Sequence, residues 1–383
     1  MNASESPSIQ RRLTVVQIIP AMHSGGAEQS TLEIGRALVA QGHRSVVISA
    51  GGRLVQNLLT EGSEHLQLDV GRKSVSTLGR IGALHRALRH LQADIVHVRS
   101  RLPAWVTQWA IRGLQPLPHR VTTVHGLNTP GPYSSILTRG ERVIVVSQTV
   151  RDHVLAHYPD LPVNRLRVIP RGVDPEAFPY GYRPDSEWRE SFFAEFPALS
   201  EAPLLTLPAR GTRLKGHIEA IELLAALKLR GLPTRLLLLG VEETGRQAYL
   251  ETLHELARQR GVDDWLVLTP PRDDVREIYA VSDLILQLSV KPEAFGRTVL
   301  EALALCRPVL GYVHGGVGEL LAELYPAGRV PALDRARLVE RAAELLRLAP
   351  PISPLTRYRL ADMQQATLAV YAELAVPARL VER

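Results

Sequence analysis

Two glutamates with seven residues between them define the most informative stretch of the sequence, KPEAFGRTVLE at 291–301. Glu293 follows an apolar run typical of a buried strand, and Glu301 lies in a run with helical apolar spacing. The spacing therefore predicts Glu293 on a strand-to-helix loop and Glu301 in the first turns of the next helix. Two solvated glutamates near a helix start would give the same pattern, because acidic residues are favoured there.

That loop position matters because ligands bind beside it in open α/β sheets. A helix N-terminus at this edge offers backbone N–H groups to a phosphate. Carboxylates beside an anion site suit hydroxyl groups rather than phosphate. The stretch 291–301 therefore favours a ligand that carries both phosphates and hydroxyls, such as a sugar nucleotide.

A pair of basic residues follows another predicted strand, LLTLP, in the motif ARGTRLKG. Arg210 and Lys215 stand five residues apart, with Arg213 between them. A guanidinium fork and an ammonium group suit a diphosphate, and their charge makes a nucleoside diphosphate a better leaving group. Ordinary surface charge before a helix is the alternative.

The composition fits two globular domains without a disulfide framework. The chain has 383 residues, 45% of them apolar, and one cysteine, Cys306. This length accommodates two domains of ordinary size, and a single cysteine fits a reducing compartment. We find no apolar run long enough for a transmembrane helix and no apolar signal-peptide core in the first residues.

The net charge of +6 is unevenly distributed. Residues 1–175 carry 20 Lys and Arg against 11 Asp and Glu, and ten of the 13 histidines also lie there. A basic first half predicts an anionic partner, such as a membrane surface or a phosphorylated glycan. An arginine-rich solvated surface remains open as the simpler explanation. We do not expect nucleic acid as a partner, because no aromatic-interleaved basic motif accompanies the charge.

Predicted strands and helices alternate along nearly the whole chain. The first strand, at 13–19, is followed by Gly25-Gly26 and a helix, and the alternation restarts after a proline-rich stretch at 179–203. Such alternation predicts an α/β fold with two doubly wound parallel sheets. The segment around Gly25 does not spell G-x-G-x-x-G, so a nicotinamide dinucleotide site is poorly supported.

The stretch 291–301 resembles the E-x7-E motif of retaining glycosyltransferases of family 4 (group 1). That family has the GT-B fold, in which two Rossmann-like domains face each other across a cleft. The resemblance implies a loose tail at 1–12, an acceptor domain at 13–175, a linker at 176–203 and a donor domain at 204–354. The final segment, 355–383, is expected to contain a helix that crosses back to the first domain.

The resemblance also implies roles for particular residues. Glu301 would bind the ribose hydroxyls, and Glu293 the transferred sugar, with Arg210 and Lys215 on the diphosphate and His125 near the reacting carbon. The other expected donor contacts are Gly25, Gly26, Arg171, Arg272, Phe295, Gly296, Arg297, Gly315 and Gly316. Arg171 stands where asparagine is more usual in the family. The expected acceptor contacts are His97, Arg99 and Arg101.

The expected function is a metal-independent, retaining transfer of a hexose from a UDP-sugar to an envelope-glycan hydroxyl. We expect no cofactor and no metal site, because no Asp-x-Asp pair ends a strand and no His/Cys cluster has ligand spacing. The motifs are most similar to those of bacterial lipopolysaccharide-core enzymes, which predicts a cytoplasmic protein that contacts the inner membrane peripherally. A sugar-nucleotide 2-epimerase and a non-catalytic nucleotide-sugar-binding subunit are the alternatives, and a dehydrogenase is disfavoured.

Overall fold

The computed structural model describes residues 11–23, 25–72 and 77–375. The predicted tail at 1–12 therefore lies outside the described residues except for Arg11 and Arg12, as does the predicted end of the chain beyond 375. The described residues divide into two compact units. The first contains the residues up to 146, 151–169 and those from 363 onward; the second contains 147–150 and 170–362.

The first unit is built on a parallel sheet of seven strands within the described residues. These are β1 (Thr14–Ile18), β2 (Arg44–Ser49), β3 (Glu64–Gln67), β4 (Ile95–Val98), β5 (His119–Val124), β6 (Arg142–Val145) and β7 (Leu166–Val168). The helices between them are α1 (Gly26–Ala40), α2 (Val55–Thr60), α3 (Thr77–Leu91), α4 (Arg101–Ala110) and α5 (Gln148–His157). The spatial order is β3-β2-β1-β4-β5-β6-β7, so the order reverses between β1 and β4.

The second unit contains a parallel sheet of six strands among the residues described. Its strands are β8 (Leu204–Pro208), β9 (Arg235–Leu239), β10 (Leu266–Thr269), β11 (Leu284–Gln287), β12 (Val309–Tyr312) and β13 (Arg329–Val330). Its helices are α6 (Ser186–Glu195), α7 (His217–Leu229), α8 (Gln247–Arg260), α9 (Val275–Val281), α10 (Arg297–Ala304), α11 (Gly315–Leu324) and α12 (Arg335–Arg347). The order β10-β9-β8-β11-β12-β13 reverses between β8 and β11.

The central strands are buried on both faces, as parallel strands covered by helices must be. Every residue of β4, β11 and β12 is buried, and these strands are almost continuously apolar. The sequence therefore shows them as apolar runs rather than as alternating patterns. The parallel α/β architecture predicted from these runs is confirmed in both units.

The C-terminal helix α13 (Leu360–Ala375) belongs with the first unit from Met363 onward. Glu373 forms ion pairs with Arg142 and Arg167 at 2.5 and 2.9 Å. Tyr371 packs in the core, with its hydroxyl 2.6 Å from Nδ1 of His97. The last described helix thus completes a unit whose other elements end at Ile169, because its apolar face is buried there.

Candidate functional site

The second unit gathers its predicted site residues at the carboxyl edge of its sheet. Arg210 and Lys215 follow β8, Glu293 follows β11, and Gly315 follows β12. β8 and β11 are the two strands between which the order reverses. In open α/β sheets this reversal opens the crevice that binds ligands. The sheet therefore brings residues together that are separated by up to about a hundred positions in the chain.

The loop from β8 to α7 carries the basic pair on a tightly held backbone. The N–H of Thr212 donates to the carbonyl of Arg210 at 2.7 Å, and the N–H of Lys215 donates to that of Thr212 at 3.0 Å. Gly216 has φ +82°, and a Cβ there would lie 2.0 Å from the carbonyl oxygen of Leu288. Only glycine fits this approach, so the β8–α7 loop packs directly against the chain that leaves β11.

Glu293 is mostly buried and contacts Lys215 directly. Their Oε1 and Nζ atoms are 2.6 Å apart, and the two side chains are 21% and 28% exposed. The hydroxyl of Ser289 also donates to this carboxylate. Burial alone raises the pKa of Glu293, but the Lys215 ammonium and the hydrogen bonds from Ser289 and Gln287 outweigh it, so the pKa is lowered. Glu293 is therefore held as a carboxylate, which accepts hydrogen bonds from hydroxyl groups.

Glu301 lies one turn along α10 from Arg297, and the two form an ion pair at 3.1 Å. Gly296, with φ +112°, precedes this helix, and Phe295 is buried beside it. The prediction of a loop at Glu293 and a helix at Glu301 is confirmed. Whether Glu301 holds ribose, and whether Phe295, Gly296 and Arg297 contact the donor, remain predictions.

The glycine-rich segment after β12 is not only a turn, because helix α11 begins at Gly315. A Cβ on Gly315 would lie 2.3 Å from the carbonyl oxygen of Glu293, and one on Gly316 would lie 2.5 Å from Cα of Phe295. The N–H of Gly316 donates to that Glu293 carbonyl at 2.8 Å. The Gly316 N–H is therefore engaged within the unit, and these glycines allow α11 to pack against the 291–301 stretch. The expected donor contacts of Gly315 and Gly316 stay predictions.

Arg272, predicted near the nucleotide base, has its side chain tied within the second unit. It forms a two-pronged contact with Asp274 at 2.8 and 2.9 Å and a further ion pair with Glu195 at 2.9 Å. The Arg272 hydrogen bonds lower the pKa of Asp274. The guanidinium therefore anchors α6 to the loop after β10. The predicted contact with the nucleotide base can then come only from the backbone of this loop.

Arg171 is buried rather than exposed. The next residue, Gly172, lies where a Cβ would be 2.3 Å from the carbonyl oxygen of Arg359, and Val173 forms a parallel bridge with Arg359. The backbone around Arg171 is thus confined by the segment that leads into α13. Its predicted contact with the donor stays a prediction.

The first unit has a pocket at its own point of strand reversal, where β1 and β4 end. Its volume is about 290 Å³, and its lining includes Glu28, Arg99, Arg101, His125 and Asn128. Three predicted residues from two different strand ends thus share one cavity. Gly25 and Gly26 start α1 at the same edge; Gly25 has φ +139°, and a Cβ on it would lie 2.6 Å from the Glu28 carboxylate.

Arg99 and Arg101 differ in how they are held. Arg99 is 4% exposed, and its Nε and Nη2 both donate to Oε1 of Gln17, at 3.0 and 2.6 Å. Arg101 is partly exposed, with Nη1 3.3 Å from the hydroxyl of Ser134. Arg99 is therefore a fixed charge in the pocket wall, and Arg101 is the more accessible guanidinium.

His97 lies in the core and not in the pocket. It is 1% exposed, and its two ring nitrogens lie 2.6 Å from the hydroxyls of Tyr371 and Thr123. The predicted acceptor contact by His97 is therefore wrong. On β4 the side chains alternate between the two faces of the sheet, and His97 faces α13.

Sequence reasoning missed several polar residues that support these sites. Ser289 donates to Glu293, and Nε2 of His314 lies 2.6 Å from the carbonyl oxygen of Ser289. Gln17 stands inside the apolar run of β1, where a buried amide must find partners. A polar residue isolated within an apolar strand was the one signal in the sequence that could have identified Gln17 as a supporting residue.

Two family models match the chain, one for each half. Residues 24–177 match Glycosyltransferase Family 4, and residues 189–353 match Glycosyl transferases group 1. The chain belongs to this family of glycosyltransferases, and with its two parallel-sheet units it has the GT-B fold. It is therefore a transferase, which sets aside the epimerase and non-catalytic alternatives.

Individual relatives agree with this assignment. Alpha-maltose-1-phosphate synthase of Mycobacterium tuberculosis is 28% identical over 272 residues, which are 64% of this chain and 68% of the relative. A glycosyltransferase structure from Rickettsia africae is 26% identical, with a TM-score of 0.83 over 95% of this chain and 98% of its own. Anabaena Alr3699/HepE in complex with UDP-glucose has a TM-score of 0.77 at 16% identity, covering 94% and 100%, and shows the same fold.

Among the described residues, no helix combines the length and the apolar character that a membrane span requires. The same residues contain no cluster of three or more His, Cys, Asp or Glu side chains with the arrangement of a metal site.

Proposed function

We propose that this glycosyltransferase moves a hexose from a UDP-sugar to a hydroxyl of a bacterial envelope glycan, with retention of anomeric configuration. The observation that carries the donor half is the 2.6 Å contact between Lys215 and Glu293. It places a cation suited to phosphate beside a carboxylate suited to sugar hydroxyls, at the strand reversal of one sheet. A ligand with a diphosphate and a sugar matches both groups.

In this proposal Arg210 and Lys215 bind the diphosphate and stabilise the charge that develops on it as the sugar leaves. They supply the neutralising charge without a bound metal. Glu293 would accept hydrogen bonds from the sugar, Glu301 from the ribose, and His125 would lie near the reacting carbon. The acceptor hydroxyl would attack the anomeric carbon from the face that the nucleotide leaves, and the departing diphosphate would take its proton. The UDP base and the retaining outcome rest on the family resemblance.

The acceptor is proposed to bind in the pocket of the first unit. Arg101 is its accessible cation, Arg99 adds a fixed charge, and the segment 70–140 contains ten Lys and Arg but one acidic residue, Asp94. Such a surface favours an acceptor that bears phosphate or carboxylate groups, as a lipopolysaccharide core does. We propose that the reaction takes place at the cytoplasmic face of the inner membrane, where anionic lipid would attract the same basic surface.

The donor proposal is tested by thermal shift with UDP, GDP, dTDP, CMP and NAD. A ligand at a hundred times its dissociation constant stabilises the folded chain by about 2.7 kcal/mol. We expect stabilisation by UDP that is lost in Arg210→Ala and kept in Arg230→Ala, because Arg230 lies at the opposite end of α7 from the loop. Stabilisation by NAD alone, or by no nucleoside diphosphate, would overturn the donor assignment.

The membrane proposal is tested by sedimentation with vesicles of phosphatidylglycerol and phosphatidylcholine. Binding to the anionic vesicles should fall steeply between 50 and 500 mM salt, because added ions screen the attraction between exposed charges. Binding that does not change with salt concentration, or equal binding to both kinds of vesicle, would reject the membrane proposal.

A further inference from the structure

His217 lies directly behind the loop that carries Arg210 and Lys215. It is the first residue of α7 and is completely buried. Its Nε2 lies 3.3 Å from the carbonyl oxygen of Ala209, and its Nδ1 lies 3.2 Å from the hydroxyl of Tyr249 on α8. A buried imidazole with both nitrogens engaged has one defined orientation.

The partners also define which nitrogen carries the proton. Burial lowers the pKa of His217 to about 4, against the opposing effect of hydrogen bonds to the backbone of Ala209 and Thr212, so the ring is neutral at pH 7. A carbonyl oxygen only accepts, so the hydrogen must sit on Nε2 and point at Ala209. Nδ1 then accepts from the Tyr249 hydroxyl.

These contacts hold the backbone on both sides of Arg210. Ala209 immediately precedes it, and Thr212, the second backbone partner of His217, donates its own N–H to the Arg210 carbonyl at 2.7 Å. Gly216, the residue before His217, is pressed against the carbonyl of Leu288. The imidazole is thus enclosed between the loop, the start of α7 and α8.

We propose that His217 is a positioning residue that, with Tyr249, holds the β8–α7 loop so that Arg210 and Lys215 are preorganised for a diphosphate. The inference rests on the proposed function, in which this loop binds the donor diphosphate. His217 itself does not touch the ligand. A loop already held in its binding conformation loses less entropy when the ligand arrives, which raises affinity for the part of the ligand that the loop contacts.

A residue that only packs the core would affect all ligands alike, so the test compares UDP with uridine. The experiment measures both dissociation constants by titration calorimetry on the full chain at pH 7.5. His217→Phe keeps a ring but removes both nitrogens, and we expect it to weaken UDP binding about tenfold while uridine binding changes little. His217→Gln restores an N–H donor towards Ala209 and should recover most of the UDP affinity. Tyr249→Phe, which leaves Nε2 in place, should show a smaller loss of the same kind.

The outcomes separate this inference from the donor proposal. If UDP binds and Arg210→Ala weakens it, but UDP binding is unchanged in folded His217→Phe or falls equally with uridine, then His217 has no positioning role. If wild-type chain does not bind UDP, the donor proposal itself fails. If His217→Phe does not fold, UDP and uridine binding are compared in His217→Gln and Tyr249→Phe instead. The inference would be overturned if Tyr249→Phe binds UDP as the wild-type chain does and His217→Gln loses affinity for UDP and uridine equally.

Discussion

The hydroxyl of Tyr371 lies 2.6 Å from Nδ1 of His97, although 274 residues separate the two in the chain. The contact joins the C-terminal helix to the central strand β4 of the first unit. Both side chains are buried, and burial raises the pKa of Tyr371, so the phenol stays protonated. The phenol also interacts with Arg99, a wall residue of the pocket. The last helix is therefore tied to the same polar cluster that supports the pocket.

Tyr371→Phe should destabilise the chain by about 1–3 kcal/mol, because it leaves buried partners without the hydroxyl they bond. Urea denaturation measures this directly. Tyr180→Phe is the matched control: its hydroxyl also donates a hydrogen bond, at 2.6 Å to the carbonyl of Ile352, but the ring is 49% exposed. Water can replace that hydroxyl, so its loss should cost less, about 0.5 kcal/mol. Equal effects of the two substitutions would show that the Tyr371 hydroxyl contributes nothing specific.

Lys215→Met should cost more stability at pH 7 than at pH 3.5. The folded-state pKa of Glu293 lies below 4.5, so the stability linked to this carboxylate is present above pH 4.5 and lost as the pH falls through the folded pKa. Without Lys215 a mostly buried carboxylate loses its charge partner, which costs about 1–3 kcal/mol at neutral pH. At low pH the protonated carboxyl no longer needs that partner.

Lys228→Met controls for the loss of a lysine. Lys228 donates to the backbone carbonyl of Gly261 at 2.6 Å, so its contribution should be the same at both pH values. A Lys215→Met cost that is independent of pH would contradict the role given to the Lys215–Glu293 pair.

The second unit shows what could be predicted from local sequence. Apolar runs predicted the strands, and the place of Arg210, Lys215 and Glu293 after those runs predicted their shared edge, because parallel strands all end on one side. These inferences needed only the spacing of neighbouring residues.

The errors arose where distant parts of the chain decide the outcome. β3, with the sequence EHLQ, is mostly exposed and lacks an apolar run, and β13 has two residues, so neither gave a strand pattern. His97 ends an apolar strand as a site residue would, and only the packing of α13 shows that it is a core residue. The start of α11 at Gly315 depends on contact with Glu293, which no local pattern reports.

Gly216→Ala should be much more damaging than Gly231→Ala. Both glycines have positive φ, +82° and +70°, so alanine costs roughly 1–2 kcal/mol of backbone strain at each. At Gly231 the space for a Cβ is open, whereas at Gly216 it would lie 2.0 Å from the Leu288 carbonyl oxygen. Only Gly216→Ala should therefore displace the β8–α7 loop and weaken UDP binding. Denaturation and calorimetry on both variants check this, and equal losses would mean that the close approach to Leu288 is not maintained in solution.

His217 should make the chain less stable as the pH falls from 7.5 to 5. Its pKa is about 4 in the folded chain and 6.5 as a model value, so between these values the unfolded chain binds more protons than the folded one. Stability therefore rises with pH in this window, and the single group accounts for about 2 kcal/mol between pH 5 and pH 7.5. His217→Gln should flatten the profile by that amount, as measured by urea denaturation at the two pH values. His254→Gln, on the exposed face of α8, controls for the loss of one histidine. The stability linked to Glu293 changes with pH only below about pH 4.5, outside this window. A His217→Gln profile as steep as that of the wild-type chain would therefore show that the ring is not held neutral between Ala209 and Tyr249.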